Sequence, residues 1–396
     1  MINKVTPANK YMLESEQIAE LKSVRQKLHS MPEISGSEKK TAEYISEQLK
    51  NTGADRVLEG VGGHGVIAFF DGDQPEAGKT VMIRAELDAL AIDEDNDFGY
   101  SSQNTGRMHA CGHDGHMAIV LGVARWLKEN RPEKGRILLL FQSAEETGEG
   151  AGQMLNDPAF AKLEIDRGIA LHNLPGYKKN TIYIRSKTFA LASVGIRILF
   201  RGRSSHAAYP EQGINPSAAI SKLIQELEKI MNNLAAGSKF RVLTITYIKV
   251  GEPAFGINPG YGELGVTIRA ETDKSIDRLA ADVEDAIERV RGSFKGDIKA
   301  EKKEPFAATV NDEAGVEQLQ AAAEKLSMDI EKLDRPIAWS EDFGKFRKKC
   351  PITLFGLGSG EQTPPLHSEN YDFDDDLIPA GVSIFCEWIK EQTNGK

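Results

Sequence analysis

The chain has 396 residues, 40% hydrophobic and 27% charged, which is enough for two domains and a sizeable core. Its formal net charge of −10 repels phosphate backbones and argues against a nucleic-acid partner. No run approaches the ~20 apolar residues of a membrane span, and Met1 to Glu20 lacks the continuous apolar stretch of a secretory leader. The three cysteines, Cys111, Cys350 and Cys386, are odd in number and widely spaced, which fits a reducing cytoplasm better than a disulfide framework.

Residues 15–50 predict helix broken at Pro32, with Ser37 as the N-cap of the second piece. Val66 to Phe70 and Thr80 to Arg84 predict strands separated by the turn-rich Asp71-Gly72-Asp73-Gln74-Pro75. Met117 to Leu127 has apolar residues at helical spacing. Ile137 to Phe141, Ile169 to Leu171 and Ile352 to Phe355 read as fully buried parallel strands. Strands alternating with helices imply an α/β domain with a mostly parallel central sheet flanked by helices. The middle of the chain changes character. Ser193 to Phe200 and Val242 to Val250 alternate, Gly265 to Ala270 is another strand, and Pro216 to Asn232 and Ser275 to Arg291 have helical period. This part predicts an inserted α+β domain over 190–303, between the two parts, 1–189 and 304–396, of the α/β domain.

Residues able to hold a metal follow separate apolar runs: Cys111 and His113, then Glu145-Glu146, then His172, and far downstream His367. In open α/β sheets, sites form outside the carboxyl ends of the strands. Cys111 and His113 are expected in a glycine-containing loop before the helix that starts near Met117. A thiolate, three imidazoles and a carboxylate suit zinc, manganese, nickel or cobalt. The count exceeds one tetrahedral site, so two divalent ions are expected. The spare glutamate is then free to move protons, which points to a hydrolase. Neighbours on an extended segment point opposite ways, so spacing alone leaves open which glutamate is the ligand. His109 and His116 read as structural or supporting, His29 and His64 as surface or packing residues, and Cys350 and Cys386 as structural. Asp342 reads as a cap or loop anchor, and Asp372 to Asp376 as a solvated face. A dinucleotide site is disfavoured, because Gly356-Leu357-Gly358-Ser359-Gly360 lacks the third glycine and the following helix of that fingerprint.

The stretches LHSMPEISGSEKKTAEYI, IRAELDALAI, GRMHACGHDGHMA, LLFQSAEETGEGA, GIALHNLPG, FRGRSSHAAYPEQGINP, WSEDFGKF and LHSENYDF span most of the chain. In this order they resemble the metal-dependent amidohydrolase and peptidase family of hippurate hydrolases, N-acyl-amino-acid deacylases and plant auxin-conjugate hydrolases. The resemblance implies a two-metal catalytic domain and a lid domain that forms a homodimer. Cys111 would bridge both metals, His113 and Glu146 would complete one site, and His172 and His367 the other. Glu145 would be the general base, and His206 would reach a partner's site to hold the substrate carbonyl or the oxyanion. Asp88 would orient a ligand, and Arg269 would fork onto a substrate carboxylate.

Two departures stand out. Glu86 replaces a frequent Asp. In AFGINPGYGELGVTIRAETD, relatives carry an Asn-Val-Ile-Pro run whose Asn contacts substrate; aligned on Pro259 and Arg269, that Asn falls at Gly256. Asn258, nearby but out of register, is the remaining candidate for that contact. The expected activity is hydrolysis of the amide bond of N-acyl-amino acids or related conjugates by a metal-bound hydroxide, with Glu145 as base. A dipeptidase or aminopeptidase on the same scaffold is the alternative. A non-catalytic metal-binding homologue is disfavoured, since the base and all five ligands are present.

Overall fold

The structure, a computed structural model, describes residues 12–235 and 240–393. Residues 1–11 of the stretch read above for a leader lie outside them. In chain order the strands are β1 (Arg56–Val61), β2 (Gly65–Asp71), β3 (Thr80–Glu86), β4 (Arg136–Gln142), β5 (Arg167–Pro175), β6 (Ile182–Ile184), β7 (Lys187–Ala190), β8 (Ala192–Arg201), β9 (Ser205–His206), β10 (Arg241–Val250), β11 (Ile257–Asn258), β12 (Tyr261–Ala270), β13 (Asp297–Phe306), β14 (Thr309–Asn311), β15 (Ile330–Lys332) and β16 (Ile352–Gly360). The helices are α1 (Ser15–His29), α2 (Lys39–Lys50), α3 (His113–Leu127), α4 (Gly150–Asn156), α5 (Pro158–Ala161), α6 (Ser217–Ala235), α7 (Asp273–Arg291), α8 (Glu313–Lys325) and α9 (Ile378–Thr393). Two compact units result. The first is Met1–Phe189, Thr309–Pro336 and Asp342–Lys396; the second is Ala190–Ala308 with Ile337–Glu341.

The first unit is built on an eight-stranded sheet ordered β1-β2-β4-β3-β5-β16-β6-β15. Its centre, β4-β3-β5-β16, is parallel, and antiparallel pairs stand on either side. The apolar runs bury both faces, as the alternation of side chains across a strand requires. Val81, Ile83, Leu139 and Phe141 join the core formed with α1, α2, α3 and α9. Residues of the opposite parity face the other way, where Arg84 lies 5.7 Å from the Phe343 ring centroid and Phe346 packs on Phe160.

Helix α3 is buried on nearly every side, which its almost continuous apolar sequence permits. It begins four residues earlier than its spacing predicts, at His113 rather than near Met117. Gly112 takes φ +88° and its carbonyl accepts from His116 N, starting the helix there. A side chain at Gly112 would meet Asn173 Oδ1 at 2.4 Å and the Tyr371 hydroxyl at 2.7 Å. Helix α2 also differs from expectation: its N-cap is Glu38, not Ser37.

The second unit has a four-stranded antiparallel sheet ordered β10-β12-β8-β13. Helices α6 and α7 pack on each other and on the sheet. A separate β9–β11 ladder pairs His206 with Ile257 and Ser205 with Asn258.

Candidate metal centre

The carboxyl ends of the parallel strands bring the predicted donors together. Cys111 precedes the αL turn at Gly112, His113 opens α3, and His172 lies on β5 beside β16. Glu145 and Glu146 follow β4. His367 stands on the segment after β16, with φ 65° and its N–H on Ala110 O at 2.8 Å. Donor atoms of Cys111, His113 and His172 lie within 4.8 Å of one another, as do those of Cys111, Glu146 and His367, and those of His113, Glu145 and Glu146. Cys111 is common to two of these triads. Cys111 Sγ is 3.5 Å from His172 Nε2, and Glu146 lies 3.9 Å from His113 Nε2 and 3.7 Å from His367 Nε2.

The imidazoles are oriented for ligation. His113 Nδ1 bonds the Asp88 carbonyl at 2.8 Å, and His172 Nδ1 the Asn173 carbonyl at 2.9 Å. A carbonyl can only accept, so each Nδ1 carries the hydrogen and each Nε2 is left with a lone pair. His113 Nε2 is buried without a hydrogen-bond partner among the described residues, as a metal-ligand atom is when the ion is absent. Burial, then the carboxylates of Glu146, Glu145 and Glu86, push the Cys111 thiol well up. A bound cation reverses that balance and favours the thiolate. Burial followed by His116 holds His172 well below its ordinary range, hence neutral. Burial opposes charge on His113, but Asp88, Glu86 and Glu146 raise it to about 10, so its Nε2 lone pair becomes available when a bound cation displaces the second proton. The donor set therefore fits a divalent transition metal.

The supporting groups form a continuous buried network. Arg84 donates to Gln142 Oε1 at 3.0 Å, to Glu86, and to Asp342 Oδ1 at 2.9 Å. Glu86 meets His116 Nδ1 at 2.8 Å. His116 Nε2 meets Asn173 Oδ1 at 2.8 Å, and Asn173 Nδ2 donates to Tyr371 Oη at 2.7 Å. Burial opposes the Glu86 charge, but Arg84 and His116 hold its carboxyl well below the usual range. Asp88 Oδ2 accepts from Ser35 Oγ at 2.7 Å and from Glu146 N at 2.9 Å. Asp342 N donates to Glu145 Oε1 at 3.1 Å. Asp342 is thus more than a loop cap, since it joins Arg84, Gln142 and Glu145.

Of the two alternatives read for His29, surface or packing, the structure gives packing, while the reading of the acidic run needs correction. His29 is wholly buried, between Asp114 Oδ2 at 2.8 Å and Glu94 Oε1 at 3.1 Å. Burial opposes its charge, but these carboxylates raise it to about 9. The acidic run is not a solvated face: buried Arg25 binds Asp372 at 2.8 Å and Asp375 at 2.7 Å. A buried guanidinium requires such partners, but nothing in the local sequence of α1 announces them.

The remaining candidates lie in the second unit. His206 is exposed, and its Nδ1 accepts from Ala208 N at 3.0 Å, which leaves Nε2–H as the donor. Asn258 is buried, and its amide bonds Ser205 Oγ at 2.9 Å and Asn215 Nδ2 at 2.7 Å, so it braces its own loop. Arg269 donates to Ser340 Oγ at 2.8 Å.

Peptidase family M20/M25/M40 matches residues 82–391. The chain belongs to this family. It is accordingly a hydrolase of amide bonds. It is 30% identical to an N-acetyldiaminopimelate deacetylase of Exiguobacterium sibiricum, over 93% of this chain and 98% of that protein. It is 28% identical to a hippurate hydrolase of Campylobacter jejuni, over 93% and 95%. In fold it is similar to a crystal structure described as a dinuclear metal binding peptidase of the M20 family from Bacillus subtilis (TM-score 0.77, 23% identity, 96% of this chain and 99% of that one). A putative aminohydrolase of methicillin-resistant Staphylococcus aureus is also similar (TM-score 0.81, 24% identity, 94% and 97%).

Proposed function

We propose that this M20-family hydrolase cleaves the amide bond joining an acyl group to the nitrogen of an amino acid. One observation carries the reading. Five convergent donors are accompanied by an extra carboxylate, Glu145, whose Oε1 accepts from the Asp342 backbone N–H at 3.1 Å. The names of the relatives above, a deacetylase of an N-acetylated amino acid and a hippurate hydrolase, support this substrate class.

Cys111, His113, Glu146, His172 and His367 would hold two divalent ions, with Cys111 shared. Such ions supply Lewis acidity to the scissile carbonyl and to the attacking water. Glu145 takes a proton from that water and delivers it to the departing nitrogen. Asp88 fixes the His113 ring through its carbonyl and the Glu146 backbone through its carboxylate, so neither donor turns during the reaction. His206 donates from Nε2 to the developing oxyanion, and Arg269 receives the amino-acid carboxylate. The protein works as a cytoplasmic homodimer formed through the second unit.

Purified enzyme, stripped of metal and reloaded in turn with zinc, manganese, cobalt and nickel, should hydrolyse N-acetyl-, N-benzoyl- or indole-acetyl-amino acids. Cleavage of free dipeptides alone would transfer the chain to the peptidases. Glu145→Gln should keep its metal and lose turnover by about 10²–10⁴-fold. Full activity in that variant would remove the base from the mechanism.

A further inference from the structure

The two glutamates of the centre stand on a turn that its own sequence does not favour. Ala144, immediately before Glu145, has φ 54°, a left-handed conformation that a Cβ opposes. Its carbonyl accepts from Gly150 N at 2.9 Å. Its N–H is met from far upstream: Glu38 Oε1 accepts from Ala144 N at 2.8 Å and also from Gly36 N at 2.8 Å. Glu38 is fully buried and stands at the N-cap of α2, yet its carboxylate does not cap that helix. A carboxylate at a helix start normally serves the helix's own N–H groups; here it serves a distant turn. Burial, and then the Asp88 carboxylate, raise the Glu38 pKa. Its second oxygen has no hydrogen-bond partner among the described residues. A buried carboxyl with these disadvantages fits a position where reach is what counts.

We propose that Glu38 is a positioning residue for the reaction: its Oε1 locks Ala144 in the left-handed conformation and so sets the direction in which Glu145 and Glu146 leave β4. The proposal rests on the hydrolase reading for its kinetic readout alone. Each residue of the turn then has a separate anchor. Ala144 N is held by Glu38, Glu146 N by Asp88 at 2.9 Å, and the Glu145 carboxylate by Asp342 N at 3.1 Å. Asp88 is in turn held by Ser35 Oγ at 2.7 Å, so the loop between α1 and α2 braces the turn twice.

Two substitutions separate reach from charge. Glu38→Gln keeps the length and an acceptor oxygen but loses the charge. Glu38→Asp keeps the charge and a residue able to cap α2, but is one methylene short of Ala144. The Asp variant should lose about tenfold or more in kcat with KM and bound metal within about twofold, because small misplacement of a reacting group is that costly. The Gln variant should stay within about threefold of the wild type. If Glu38→Asp cannot be recovered folded, Glu38→Met, which keeps length but offers no acceptor, takes its place. Hydrogen exchange of the backbone amides of 143–150 should quicken in the Asp or Met variant and not in the Gln variant. That readout needs no turnover. A short variant with wild-type exchange and kcat, or a Gln variant as impaired as the Asp variant, would overturn the proposal. A wild type without turnover, together with faster exchange in the Asp variant, would reject the hydrolase reading and leave the strut standing.

Discussion

In the first unit charge lies inside. Arg25, Arg84, Glu86, Asp114 and Asp342 are buried, each against an opposite partner. In the second unit, Glu341 apart, charge lies nearer the margin. Arg197–Glu263, Arg289–Glu226 and Lys299–Glu301 pair over a core of Ile198, Phe200, Leu264, Val266, Leu279 and Val283. The contrast separates two uses of charge. A buried ion pair is weak evidence of net stability, because desolvation offsets the attraction, so the first unit holds its network at a cost that its donors and its base explain. A surface pair costs little and contributes little, and suits a unit whose sheet needs only an apolar core.

The sharpest way to break the contrast is Arg84→Leu. It leaves Glu86 and Asp342 buried without their cation and should destabilise the protein by about 3–5 kcal/mol in denaturant unfolding. A loss below about 1 kcal/mol would mean that the network is structurally idle.

His29 gives the next effect. Its folded pKa of about 9 lies above the ordinary 6.5. A raised pKa stabilises fully below about pH 6.5, and that contribution is lost as pH rises through about 9. The loss is at most about 3 kcal/mol. Unfolding free energies from pH 6 to 9.5 should fall more steeply in the wild type than in His29→Gln; parallel curves would show that the imidazole is not charged in the fold.

Gly150→Ala tests the glutamate turn. A Cβ there would lie 1.7 Å from Ser143 O, so the turn must shift, at a cost of about 1–3 kcal/mol. An unchanged melting temperature would show a softer turn than the geometry implies. Smallest of all, Arg197→Ala in the second unit should leave the melting temperature almost unchanged. A clear fall would place real energy in the surface pairs and erase the distinction between the units.

Much of the first unit was legible because its strands are apolar runs with one meaning. The ends of those strands then pointed to Cys111, His113, Glu145, Glu146 and His172. His367 was legible as a donor type, but only the resemblance gave it a place in the set, for it stands in the αL conformation on an irregular segment. The start of α3 was misplaced because the helical spacing begins at Met117, whereas Gly112 sets the first turn. Strand β13 was missed, since Asp297–Phe306 is half lysine and glutamate at a sheet edge and shows no apolar alternation. Arg84 offered a signal, a cation at the end of an apolar strand. Glu38 offered none, because its partner is 106 residues away.

Strand β16 lies between β5 and β6, yet it is synthesised long after both. A chain still on the ribosome therefore carries a sheet with a slot at its middle. At roughly 5–20 residues per second the slot stays open for on the order of ten seconds, with β5 and β6 presenting unpaired edges that invite other strands. Asp342 and His367 arrive on the same late segment. The growing chain thus has no complete set of donors until residues 342–367 have been made, and the facing edges of β5 and β6 stay open until β16 fills the gap between them.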